Sequence, residues 1–165
     1  MPAADRTFPI RHTANHVICI DVPTVRLMDQ TTPAYSFAIS ADGTAARLRE
    51  LPNSATPPKA AFVWTHLHVG QEGVRAWLAD EAKLDSTVVG ALMADDTRPR
   101  AVIKEEGVMI IFRAMNLHEG ESPEEMISLR MWIDAYRVIT TRLRDIKAIE
   151  EIQQLMAKGE SPASS

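Results

Sequence analysis

The residues best placed for chemistry begin with two histidines. His66 and His68 lie two apart in Ala60–His68 (AAFVWTHLH), a stretch with the apolar and β-branched content of a strand. In an extended chain both rings point to one face. A pair of imidazoles on one face can chelate zinc, copper or nickel. The competing reading is two histidines at a strand end, one bonded to backbone and one solvated. A second cluster is Asp95-Asp96, just before Thr97-Arg98-Pro99-Arg100. Adjacent carboxylates suit a hard divalent cation such as magnesium, or form a solvated turn beside an arginine. His66 and His68 joined by Asp95 or Asp96 would give the three protein ligands of a metal-dependent hydrolase. Arg98 and Arg100 could hold a phosphate; the preferred reading is that they tie their loop to the neighbouring acids. Glu119, Glu121, Glu124 and Glu125 read as a charged, solvated hairpin end, with a weak cation site as the lesser alternative.

Other chemistry is poorly provided for. No Gly-x-Ser-x-Gly, Gly-x-x-x-x-Gly-Lys or Gly-x-Gly-x-x-Gly occurs. Cys19 is the single cysteine, which excludes a disulfide-stapled scaffold, and its neighbours do nothing to lower its pKa. The expectation is a protein that is not an enzyme. With 18 basic and 22 acidic side chains the net charge is −4, which gives no basic surface for nucleic acid. A bilayer span needs about 20 apolar residues; the longest unbroken runs here are Ala60–Trp64 and Val108–Phe112. With no signal-peptide stretch at the N-terminus, a cytoplasmic location is the default expectation.

The elements that must position these residues can be read from periodicity. Residues 1–30 are weakly patterned and read as a flexible arm, with Val17–Val22 as a short strand at most. Ala34–Ser40 and Ala60–His68 read as strands, the second central, and Asp42-Gly43 as a turn. Gln71–Ala79 puts Val74, Trp77 and Leu78 on one helical face. Asp85 is placed to cap a helix that buries Val88, Val89 and Leu92. Arg100–Glu105 and Val108–Met115 form a hairpin at Gly107, and Val108–Phe112, lacking a polar alternate, predicts cover on both faces. Met126–Ile133 alternates, Asp134-Ala135 turns the chain, and Tyr136–Thr141 follows. Met109, Met115, Met126 and Met131 read as core filling. A last helix, Asp145–Lys158, is capped by Asp145 and ended by Gly159. The fold class is therefore α/β or α+β: a mixed, largely antiparallel sheet of five or six strands layered with short helices. The expected organisation is a flexible arm over 1–30, a domain over 31–158 and a linker tail over 159–165 that reads as a place where a longer chain has been cut.

Several short motifs in a fixed order carry a resemblance. Trp64-Thr65-His66-Leu67, Trp77-Leu78, Thr97-Arg98-Pro99-Arg100 and Thr141-Arg142-Leu143-Arg144 together resemble the N-terminal cytoplasmic domain of CorA-like divalent metal ion transporters, closest to the zinc-transporting ZntB branch. The resemblance spans about residues 34–162. It implies a homopentameric membrane transporter for zinc, magnesium or cobalt. In such a transporter this domain lies on the cytoplasmic face of the inner membrane, forms a funnel, senses ions and gates a pore carried by a stalk and spans outside this sequence. Magnesium-type members place a regulatory acidic pair where this chain has Gly90 and Ala91, a departure that favours the zinc branch. The alternatives are the soluble metal-binding hydrolase and an interaction domain that binds no ion.

Overall fold

The computed structural model describes residues 34–53, 60–95, 98–122 and 124–159. Seven strands form one sheet in the order β2-β1-β3-β7-β6-β5-β4. They are β1 (Tyr35–Ile39), β2 (Ala45–Arg47), β3 (Phe62–His68), β4 (Arg100–Lys104), β5 (Gly107–Ala114), β6 (Ile127–Ile133) and β7 (Arg137–Arg142). All neighbours are antiparallel except β3 and β7, which pair in parallel with His66 opposite Thr140. The central placing of β3 agrees with its apolar sequence. The strand count exceeds expectation by one, because β2 (Ala-Ala-Arg) is too short to show a period. It forms because the Asp42-Gly43 turn folds it back on β1: Gly43 takes φ 82° and the Asp42 carboxylate accepts from the Thr44 N–H.

Alternation along the strands divides the sheet into two faces. One is covered by α1 (Val74–Ala76), which runs on into a π-helical turn at Trp77–Glu81, and by α2 (Ser86–Met93). Val74, Trp77, Leu78, Val88, Val89 and Leu92 pack there on Leu67, Met109, Ile111, Trp132 and Ile139. Asp85 caps α2 as expected, accepting from the N–H groups of Thr87 and Val88. Its hydrogen bonds from Lys104 and Thr87 hold its carboxyl well below the usual range. The opposite face is covered by α3 (Lys147–Ala157), whose Ile149 and Met156 pack with Ile146 against Tyr35, Phe37, Ile39 and Trp64. Asp145 does not cap α3: the N-cap is Ile146, and Asp145 pairs with Arg142 instead. Gly159 ends the helix in the left-handed region, φ 85°.

The β4–β5 hairpin departs further from expectation. Its loop is Glu105-Glu106, and Gly107 lies in β5 opposite Lys104. A Cβ at Gly107 would stand 2.3 Å from the Ile133 carbonyl oxygen, so close approach, not turn geometry, requires glycine there. Nor is β5 covered on both faces. Met109 and Ile111 are buried, but Val108 and Ile110 are half-buried, Phe112 is 47% exposed, and Ile103, opposite Val108 on β4, is 83% exposed. The helix α3 packs over the β2 end of that face and leaves the β4–β5 end open. Of the four methionines read as core, only Met109 is fully buried; Met115 and Met126 fall outside the strands and are exposed.

Candidate functional site

The histidine pair is positioned by β3, and its two members meet different fates. His66 is fully buried beneath Tyr35 and Trp64. The Arg142 Nε–H donates to His66 Nε2 at 2.9 Å, so that nitrogen is the unprotonated acceptor. Nδ1 therefore carries the hydrogen and donates to Thr140 Oγ1 at 2.7 Å. The same hydroxyl receives the Trp64 indole N–H at 2.9 Å and donates to the Thr65 carbonyl. On the other face of the sheet, Ser36 and Thr65 share a buried hydroxyl bond of 2.8 Å. Arg142 completes the chain by an ion pair with Asp145 at the start of α3. Burial, then the Arg142 cation and His68, push the His66 pKa down to about 3. Both ring nitrogens of His66 are thus committed, and its lone pair faces an arginine.

His68 sits at the strand end, half-buried, with Nδ1 accepting the Gly70 N–H at 3.1 Å. Asp95 lies on the other face of the sheet, just past α2, where its backbone carbonyl accepts from Arg130 at 3.0 Å. The sheet therefore stands between the histidines and Asp95. Asp96 lies outside the described residues, as do Cys19 and the Val17–Val22 stretch. Among the described residues no group of three or more His, Cys, Asp and Glu side chains could hold a metal ion. Arg98 and Arg100 are exposed and make no ion pair among the described residues. No helix among the described residues is long and apolar enough to cross a membrane.

Sequence reasoning missed two arginines, Arg142 and Arg130, that organise the interior from opposite faces. Their signal was an arginine at a strand position between covered neighbours: Arg130 is opposite the buried Ile111 and Thr141, and Arg142 opposite the half-buried Leu129 and His68. Around them, polar side chains fasten helix ends to the sheet. The Thr141 hydroxyl donates to the Leu92 carbonyl at 2.6 Å, closing the end of α2, and Arg137 donates to the Ala82 carbonyl at 2.8 Å. Asp134 turns the chain between β6 and β7 by accepting the N–H groups of Tyr136 and Arg137. Burial raises its pKa, but the Arg137 guanidinium and these bonds outweigh that and leave it lowered.

This architecture has known counterparts. The family model for the CorA-like Mg2+ transporter protein matches residues 59–165. The chain belongs to the CorA-like family. It is 36% identical over 104 residues to the divalent cation transporter CmaX of Pseudomonas aeruginosa, covering 62% of this chain and 31% of that protein. The chain thus spans about a third of that relative's length. Among solved structures, full-length CmaX superposes with a TM-score of 0.68 at 31% identity, over 78% of this chain and 40% of that one. The ZntB cytoplasmic domain of Vibrio parahaemolyticus gives a TM-score of 0.64 at 28% identity, over 78% of this chain and 50% of that one. The CorA magnesium transporter of Methanocaldococcus jannaschii shares the fold at 17% identity, TM-score 0.60.

Proposed function

We propose that this chain is the cytoplasmic domain of a homopentameric divalent cation transporter of the inner membrane, and that it senses ions and biases a pore carried by other parts of the protein. The observation that supports this most is the joint match: a CorA-like family model over residues 59–165, and a fold shared with the ZntB cytoplasmic domain over most of the chain. Zinc is the first ion to test, given that likeness and the Gly90-Ala91 pair at the magnesium-type acidic positions; magnesium and cobalt follow. A domain moves a conformational equilibrium only by its differential affinity for an ion in the two packings. The hydrogen-bonded route available for such a bias runs from β3 through His66 and Arg142 to Asp145, just before α3.

Of the three described residues first considered as ligands, His66 is buried, and His68 and Asp95 are reachable from solvent. Under this proposal they would contribute to ion binding singly, each to a site completed by another subunit. The hydrolase reading asked for three convergent ligands, and no such group forms among the described residues. The deciding experiment reads the natural coding sequence past Ser165. Two apolar segments of about 20 residues each support the proposal; a stop codon directly after Ser165 contradicts it. Calorimetry of the chain with Zn²⁺, Mg²⁺ and Co²⁺ then tests sensing. Saturable heat that falls in His68→Ala or Asp95→Asn supports the single-ligand proposal, and no heat at millimolar ion removes it.

A further inference from the structure

Arg130 on β6 is 1% exposed. Its Nη1 donates to the Ser128 carbonyl at 3.3 Å and its Nη2 to the Asp95 carbonyl at 3.0 Å, while its buried Nε finds no acceptor. Both acceptors are neutral. Among the described residues no carboxylate lies within ion-pair distance of the guanidinium. An arginine does not shed its proton to escape burial, so its charge is desolvated with no ion pair among the described residues, an arrangement that costs stability. The side chain also lines a cleft of about 400 Å³ at the end of the sheet, beyond the last turn of α2. Arg113, opposite Ser128 in the β5–β6 register, and Arg144 line the same cleft. Arg113 is exposed, and Arg144 pairs with the solvent-facing Glu125 at 3.0 Å.

We propose that this cleft binds an oxyanion of the phosphate class, with Arg130 as its buried anchor and Arg113 and Arg144 on its rim. A guanidinium carries five N–H donors in a planar fork matched to phosphate oxygens, and among the described residues Arg130 spends two of them. The cleft also carries Asp95, Glu124 and Glu125. Glu125 is engaged by Arg144. Burial disfavours the Arg130 cation, and the Asp95 carboxylate, whose charge partly offsets that, is the internal competitor for the same guanidinium. This inference is independent of the transport proposal, because it rests on the cleft alone.

The test is calorimetric titration of the full 165-residue chain with inorganic phosphate, against sodium chloride at equal ionic strength. Saturable phosphate binding is expected. Arg130→Met should weaken it by at least about tenfold and Arg113→Ala by several-fold, as befits charge-assisted hydrogen bonds. Asp95→Asn should tighten it by removing the competitor. Circular dichroism checks that each variant folds; if Arg130→Met does not, the opposite effects of Arg113→Ala and Asp95→Asn decide. A second arm uses phosphatidylcholine vesicles with and without phosphatidic acid. Arginine-dependent binding to the acidic vesicles alone assigns the phosphate to a lipid headgroup, whereas binding of free phosphate assigns it to a solute. Binding in neither arm, or binding unchanged in both Arg113→Ala and Asp95→Asn, overturns the proposal.

Discussion

The two arginines buried in this sheet make an instructive pair. Arg142 faces α3, donates Nε to His66 and pairs with Asp145, so its charge has both a hydrogen-bond acceptor and a counter-ion. Arg130 faces α2 and has two backbone carbonyls, an orphaned Nε and a cleft. Both sit in a strand, and both are less than a tenth exposed. The difference is one of closure. The Arg142 network is satisfied within the chain and ties three elements together. The Arg130 site has donors to spare, which is the condition for taking a ligand from outside.

That contrast can be broken by substitution. Arg142→Met strips the acceptor His66 Nε2 of its donor in a buried, low-dielectric setting, and should cost about 2–4 kcal/mol of stability in urea unfolding. A cost below about 0.5 kcal/mol would show that the network is ornamental. Next comes pH. The pKa of His66 in the folded protein is about 3, against an ordinary histidine value of 6.5, so the unfolded chain binds the proton first. The stabilising contribution of the neutral ring is therefore complete above about pH 6.5 and is lost as pH falls towards 3, at up to about 1.4 kcal/mol per pH unit. Denaturation midpoints measured from pH 7 to pH 4 should fall more steeply for the native sequence than for His66→Asn.

Smaller effects sharpen the comparison. Asp85→Ala removes the cap of α2 and its Lys104 partner, and should lower stability by about 1 kcal/mol. Arg130→Met should change stability by less than about 1 kcal/mol, because two hydrogen bonds to neutral carbonyls are lost while an unpaired buried charge is relieved. Thermal or urea melts of these two variants beside Arg142→Met give the ranking. Arg130→Met proving as damaging as Arg142→Met would mean that both sites are closed.

The parts of this molecule legible in its sequence are those governed by local pattern. The central strand at Phe62–His68, the Asp85 cap, the Asp42-Gly43 and Asp134 turns and the Gly159 helix end all follow from residue types acting on their own neighbours. What could not be read depends on distant partners. Asp145 resembles a helix cap, yet it pairs with Arg142, whose guanidinium is held in place by His66 of the distant strand β3. Gly107 resembles a turn glycine until Ile133 is brought against it from another strand. His66 and His68 share a face as their spacing requires, yet burial and Arg142 decide that His66 offers no lone pair to an ion. Asp95 cannot join them because the sheet intervenes, a fact of topology that spacing does not encode. The open face of β4 and β5 was hidden for the same reason: an apolar run signals burial without saying by what.

The central claim, that this chain serves a divalent cation transporter, is tested most directly by uptake. Cells lacking their own CorA-like transporters, expressing the complete natural coding sequence that contains this chain, should accumulate Zn²⁺, Mg²⁺ or Co²⁺ above the empty-vector level, as followed by metal analysis of washed cells. Deletion of residues 34–159 should change the dependence of that uptake on internal ion concentration. Accumulation equal to the empty vector for all three ions, with the protein present in the membrane fraction, would contradict the claim.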